Sequence, residues 1–304
     1  MATRAIETQT TKRLNSGNIQ EHARVTLVYV LMALITILLV FPFYYLATSA
    51  FKPTAELFEY PPTLWPRKIT FAHFSLAFEA APFVRMAGNT FLIGGLAVLG
   101  SIFSNSMAAY AIARLRFPLK TVIFVGLMVT LMIPSWVSLV PAYIFWRDLG
   151  RWTLNTFGVN IGVNSIGPLV IPSFLTSAYS VFLMRQYFKT IPKELEEAAR
   201  IDGATPATIY WRIFLPLAFP VIAVIGIGAF MFAWNDVLGP LIYLSKPENQ
   251  TIMVGLSYLN SQHFGVTYRG ARFAAALMAA IPILLLYFLS NRYLIRGIVL
   301  GGLK

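Results

Sequence analysis

The 304-residue sequence has no cysteine, which excludes disulfides and thiolate metal sites. Charge is scarce as well: 12% of residues are charged and 57% are hydrophobic, with a mean hydropathy of +0.67. A soluble domain carries about 25% charged residues, so this composition excludes one. Long apolar runs recur where a β-barrel would show short alternating ones, which leaves a helical membrane protein. Histidine is nearly absent, and His22, His73 and His263 stand too far apart to form a metal cluster. The net charge of +12 has no separate basic domain to sit in. It therefore reads as Lys and Arg placed in loops on one side of a membrane rather than as a nucleic-acid surface.

A membrane span needs about 20 mostly apolar residues. Six segments qualify, at roughly 25–50, 88–113, 121–145, 166–187, 215–244 and 273–295. Residues 1–24 are polar and are expected to lack fixed structure or to lie loosely on the membrane surface. The first apolar run, Val25 to Ala50, is too long for a signal-peptide core of about 7–15 residues and reads as an anchor. Gly94, Gly95 and Gly100 suit close packing in the second span. Pro134 and Pro141 interrupt the third, and Pro168 and Pro172 the fourth.

If the N-terminus is cytoplasmic, fifteen Lys and Arg fall on the inner side and nine on the outer. This bias predicts both termini inside. The predicted architecture is all-α and integral to the membrane. It has an N-terminal segment at 1–24, a six-span domain at 25–296 and a C-terminal tail at 297–304. The outer 51–87 loop is rich in proline and aromatics, Trp65 among them, and suits the membrane interface. The outer 245–270 loop is more polar and suits contact with an external partner.

Four of the twelve acidic residues, Glu194, Glu196, Glu197 and Asp202, lie within nine positions between the fourth and fifth spans. Pro192 suits the first turn of a helix, and the glutamates then sit near its positive end. Lys193/Glu197 and Glu196/Arg200 are spaced i, i+4 on what reads as a solvated side. Leu195, Ala198, Ala199 and Asp202 share the other side. Gly203 is placed to stop the helix in a left-handed conformation. Thr205-Pro206 then caps and starts a second helix. Interfacial helices usually carry Lys and Arg opposite large apolar residues. This one is acidic with a low alanine face, which favours a protein partner over lipid.

Glu197-Ala198-Ala199, three residues, Gly203, nine residues, then Ile213-x-Leu215-Pro216 resembles the cytoplasmic EAA signature of permease subunits of bacterial ABC importers, and every fixed position is met. The likeness extends to sugar-importer permeases of the maltose type. It rests on Trp234-Asn235-Asp236, on Thr251 with Val254-Gly255-Leu256, on Ala274-Ala275-Ala276 before Pro282, and on the Gly-rich ending from Arg296. The tail has Gly302 where the family usually has Ala.

The resemblance implies that loop 188–214 holds a coupling helix, with Glu197, Ala198, Ala199, Asp202, Gly203 and Ala204 facing a cytoplasmic ATP-binding subunit. It also implies a dimer of those subunits, a second permease subunit forming a heterodimer, and a periplasmic or extracellular substrate-binding protein. That protein is expected at Asn260, Ser261, Gln262 and His263. ATP and Mg would belong to the partner subunits, with no cofactor in this chain. The sequence has no Gly-x-x-x-x-Gly-Lys-[Ser/Thr] of its own, so no catalytic residue is expected. The implied location is the bacterial cytoplasmic (inner) membrane.

Asp236 is the only carboxylate within the predicted spans. An intramembrane acid is costly and usually faces a bundle interior or a wet cavity. Trp234, Asn235, Asp236, Asn105 and Ser135 are candidates for a translocation pathway, with Trp234 stacking on a sugar ring. The other reading makes Asp236 a hydrogen bond between helices and Trp234 an interface residue. A secondary transporter coupled to ions would show buried charge relays and internal repeats. A membrane-embedded enzyme would show paired carboxylates or clustered histidines. Neither pattern is present. The outer loops carry an excess of basic residues, which suits an acidic oligosaccharide of the uronate, alginate-like kind as cargo and suits an acidic docking protein equally well.

Overall fold

The computed structural model describes the backbone of residues 2–262, 265 and 268–302, and the side chains of residues 21, 22, 24–260, 265 and 268–291. All regular structure among the described residues is helical. Helix α1 (Ala2–Ser49) leads to α2 (Ala72–Ala80), the long α3 (Phe83–Arg114), α4 (Lys120–Val129) and α5 (Leu139–Phe157). The short α6 (Gly167–Val170) precedes α7 (Ala178–Thr190), α8 (Lys193–Ile201), α9 (Pro206–Ile209) and α10 (Leu215–Leu217). Then follow α11 (Phe219–Asn235), α12 (Leu238–Tyr243), α13 (Ile252–Gln262) and α14 (Tyr268–Gly302).

Among the described residues, four helical segments are long and apolar enough to cross a membrane: Arg24–Ser49, Phe83–Arg114, Gly167–Thr190 and Tyr268–Asn291. Two bent pairs bring the number to six if each counts as one span. Lys120–Met132 joins Ser135–Phe157 at 92°, and Pro206–Leu217 joins Phe219–Asn235 at 77°. The third predicted span is therefore not a straight helix. Ile133 and Pro134 are extended, and proline can neither continue the preceding helix nor let its neighbour stay helical. At the N-terminus, α1 begins at Ala2, so the polar segment is helical rather than irregular. At the other end α14 runs through Gly302, so the tail continues the last helix as far as it is described.

Helix α3 is the central post, packed against α11 and α7. Two of its glycines are needed there. A Cβ on Gly94 would meet the Phe230 ring at 3.0 Å, and one on Gly100 would meet Phe174 and Ser173 at 2.6 Å. Gly95 faces open space and is not part of this packing.

Two cores form at opposite ends of the post. The inner one gathers Tyr110, Val181, Met184, Phe188, Ile209, Tyr210 and Phe214 beneath α8. The outer one gathers Phe83, Met86, Trp234, Leu259 and Ala275. Much of the remaining surface is apolar, from Val25 to Phe43 on α1 and from Val122 to Val129 on α4, as expected of helices that face lipid or another subunit.

The segments predicted to lie outside are more ordered than loops. Residues 245–270 contain α13, whose Val254 and Leu259 are buried. The Ile252 N–H donates to Thr90 Oγ1 at 2.9 Å, and Asn89 Nδ2 donates to the Glu248 and Gln250 carbonyls. In the 51–71 segment, Thr63 Oγ1 donates to Glu56 at 2.6 Å, and Lys52 Nζ donates to the Thr63 carbonyl. Trp65 stays exposed.

Candidate functional site

Helix α8 is a nine-residue helix entered through extended Pro192. Its end is a Schellman motif: the Ala204 N–H donates to the Ala199 carbonyl at 2.9 Å, and the Gly203 N–H to the Arg200 carbonyl at 3.0 Å. Gly203 has φ +80, and nothing lies within 4 Å of where its Cβ would be. Conformation rather than space therefore requires glycine there. Thr205 Oγ1 then accepts from the Thr208 N–H at 3.2 Å and caps the next helix. A π-turn over Tyr210–Phe214 carries the chain toward the bend at Ala218.

Glu196 is not on a solvated side. It is 8% exposed and turned inward, because a cation waits there. Arg114, the last residue of α3, lies 3.9 Å from Glu196 Oε2, and Arg200 Nη2 donates to Oε1 at 2.7 Å. Arg114 also donates through Nε and Nη2 to the Phe188 carbonyl and through Nη2 to the Ile191 carbonyl. Its guanidinium sits 4.9 Å from the centre of the Phe214 ring. One buried cation thus ties α8 to α3, to the end of α7 and to the π-turn.

With Glu196 inward, the rest of α8 is set. Glu194, Leu195, Glu197, Ala198, Ile201 and Asp202 are exposed, with Ile201 at 86%. Ala199 and Ala204 are half-buried against the inner core. The outward face is acidic around bare apolar side chains.

A cavity of about 700 Å³ opens between α3, the α6–α7 region, α11 and α12. Its walls are mainly apolar, with Ser101, Asn105, Ser173, Thr176, Ser177, Tyr179, Asp236 and Tyr243 among the lining residues. Two breaks in helices face it. Leu175 and Ser177 are extended between α6 and α7, and Asp236 is extended between α11 and α12. Backbone exposed in a membrane needs partners, and α3 supplies them. Asn105 Oδ1 accepts from the Ser177 N–H at 2.6 Å, and Ser104 Oγ lies 3.1 Å from the Leu175 carbonyl. Asp236 Oδ1 accepts from the Gly239 N–H at 3.0 Å and so caps α12.

Of the pathway candidates, Asp236 and Asn105 line this cavity. Trp234 does not: it is 1% exposed, its Nε1 donates to the Ala279 carbonyl at 3.1 Å, and its ring stacks on Phe230. It anchors the outer core and offers no face to a sugar. Asn235 is exposed and donates to its own helix at the Met231 carbonyl. Ser135 is exposed at the Pro134 bend, away from the cavity. The aromatics that do line it, Tyr179, Phe232 and Tyr243, carry no local sequence signal that separates them from lipid-facing residues. Asn260 is exposed on α13. Ser261 and Gln262 end that helix with their side chains outside the described residues, and His263 lies outside them altogether.

Comparison with known proteins matches residues 98–299 to the family described as "Binding-protein-dependent transport system inner membrane component". The chain is 32% identical to the diacetylchitobiose uptake system permease protein DasC of Streptomyces coelicolor, over 88% of this chain and 92% of that one. It is 33% identical to the maltose/maltodextrin transport system permease protein MalG of Salmonella typhimurium, over 80% and 84%. It is 34% identical to the melibiose/raffinose/stachyose import permease protein MelC of Bacillus subtilis, over 86% and 91%. The fold is that of a chain in the crystal structure of a bacterial ABC transporter involved in the import of the acidic polysaccharide alginate, with TM-score 0.76, 23% identity and coverage of 88% and 95%. A multi-pass helical chain with the EAA spacing on a rigidly held α8 and matches of this extent belongs to the binding-protein-dependent transport family, as a permease subunit of an ABC sugar importer.

Proposed function

We propose that α8 is the seat of a separate cytoplasmic ATP-binding subunit, and that this subunit's movement is passed to the spans through Arg114. The observation that carries the reading is the double character of α8. Its outward face pairs acidic side chains with the exposed Leu195 and Ile201, which suits a protein groove better than water or lipid. Its inward face is bonded by Glu196 to the buried Arg114. On this reading ATP and Mg bind to the partner, both termini of this chain are cytoplasmic, and the membrane is the bacterial cytoplasmic membrane.

The cavity would be this chain's half of the pathway, completed by a second permease subunit, with a substrate-binding protein on the outer face near α13. The cargo is an oligosaccharide. The basic excess of the outer loops suits an acidic one, and the fold neighbour is described as involved in alginate import. Among the described residues, however, Asp236 is the only charged side chain lining the cavity. A lone carboxylate with hydroxyls and aromatics favours an uncharged sugar over an anion. The curated relatives are named for uncharged sugars such as maltose and melibiose. We therefore favour a neutral oligosaccharide, with the acidic one as the second reading.

The test is uptake by the assembled importer in proteoliposomes, measured with neutral and uronate oligosaccharides of equal length and with ATP hydrolysis followed in parallel. Uptake of neutral sugar with hydrolysis in the partner subunits is expected. Exclusive uptake of uronates would restore the acidic reading, and uptake without ATP would remove the whole proposal.

A further inference from the structure

We propose that a basic groove where α4 meets α7, on the α8 side of the molecule, binds the phosphate headgroup of an anionic phospholipid in that leaflet. Four cations gather there, Arg116 and Lys120 at the entry to α4 and Arg185 and Lys189 on α7. The Arg185 guanidinium of α7 lies 4.0 Å from the centre of the Phe124 ring of α4, which fixes the two helices side by side. Lys120 is one turn before Phe124, and Lys189 is one turn after Arg185. Both Arg185 and Lys189 act electrostatically on Lys120, and α4 packs against α7, which brings the three charges together. Arg116 and Lys120 line a groove of about 520 Å³ with Leu115, Phe117, Leu119 and Val122.

No carboxylate pairs with these four cations among the described residues; the ion pairs there are Arg67–Glu59, Arg114–Glu196, Arg147–Asp148 and Arg200–Glu196. Lys120 Nζ uses one hydrogen on the Leu115 carbonyl at 2.9 Å, which leaves two. Arg185 Nε is buried with no partner. Clustered like charges repel, and a partly desolvated cation without a partner is costly. An anion that brings several acceptor oxygens removes both costs. The surroundings select its source. Leu119, at the cap of α4, and Val122, Ile123 and Val125 on it are exposed and put apolar surface beside the cations. A phosphate with acyl chains fits both surfaces, whereas free phosphate uses only the cations. Arrangements of this kind, basic pockets between spans at the membrane face, suit anionic headgroups.

The test uses the assembled importer in phosphatidylcholine nanodiscs, titrated with phosphatidylglycerol and read by native mass spectrometry. Lys120→Gln with Lys189→Gln is expected to weaken phosphatidylglycerol binding about thirty-fold, at about fivefold per cation removed. Neither side chain is part of a core, so this pair remains informative if Arg185→Gln fails to assemble. Arg147→Gln with Arg151→Gln, which removes the same charge from α5, is expected to leave binding unchanged. Equal affinity in the Lys120/Lys189 variant would overturn the site. Full competition by millimolar inorganic phosphate would overturn the lipid as its ligand. Loss of the ATP-binding subunits from that variant with unchanged lipid binding would reassign the cations to a protein contact.

Discussion

Arg114 and Glu196 stand 3.9 Å apart with side chains 6% and 10% exposed, one closing the central helix α3 and the other inside α8. At that separation the ion pair alone is weak. The stronger holds are the Arg114 hydrogen bonds to the Phe188 and Ile191 carbonyls, because charge-assisted bonds in a buried setting lose most when one partner is removed. The pair therefore works as a joint between α8 and three spans rather than as a store of electrostatic energy.

Removing the cation should be worse than neutralising the acid. Arg114→Ala removes the charge-assisted bonds from the Phe188 and Ile191 carbonyls, leaves the Glu196 carboxylate to Arg200 alone, and is expected to cost about 3–5 kcal/mol. Glu196→Gln keeps Arg114 on its carbonyls and should cost about 1–2 kcal/mol. Thermal unfolding of the assembled importer checks the order. Equal losses for the two variants would mean that the pair itself, and not the carbonyl contacts, holds the joint.

Gly203 should tolerate size but not shape. Its φ of +80 disfavours any side chain by about 1–2 kcal/mol, although nothing occupies the space around it. Gly203→Ala is expected to lower the sugar moved per ATP while leaving the permease assembled, and Gly203→Asn should be milder. If alanine were silent and a larger left-handed-tolerant residue harmful, packing against the partner would be the constraint instead.

Much of α8 was legible because its signals are local. Gly203 and Thr205-Pro206 act locally, and the structure places them as predicted, while Pro192 stands at the cap just before the helix rather than in its first turn. The inward turn of Glu196 was not legible. Helical spacing shows which residues share a face but not which face is buried, and the deciding partner, Arg114, comes from another span. Which of the two readings of Trp234 holds was not legible for the same reason, since its acceptor is the Ala279 carbonyl of α14. Pro134 marked a break in the third span, but a proline does not fix the angle at which the chain resumes.

Asn105 tests the account of the broken fourth span. Its Oδ1 is the acceptor for the Ser177 N–H, so Asn105→Leu should cost about 1–3 kcal/mol by leaving a part-buried donor unpaired. Asn105→Asp keeps the acceptor and should fold better than Asn105→Leu. Detergent stability of the purified importer separates the two, and indifference to Leu would show that water already serves Ser177.

Acid should loosen the outer 51–71 segment. Burial alone would raise the Glu56 carboxyl, but the Thr63 hydroxyl, the Arg67 N–H and the Lys52 charge outweigh it and hold the pKa below its ordinary value of 4.5. A depressed pKa means stability that is fully present above 4.5 and lost as pH falls through the lower folded value. Protease cutting in this segment should rise over that acid range. Glu56→Gln should be cut more readily at neutral pH and show a flatter response. A wild-type profile that stays flat through that range would contradict the role of Glu56.

The seat on α8 can be tested directly because the chain contains no cysteine. Ala198→Cys introduces one exposed thiol on the outward face of α8, and Asn260→Cys introduces one on α13 as a control. With a short bifunctional reagent on the intact importer in membranes, Ala198→Cys should cross-link to an ATP-binding subunit, and Asn260→Cys should not. No cross-link from Ala198→Cys, or the same product from both positions, would contradict α8 as the seat of the ATPase.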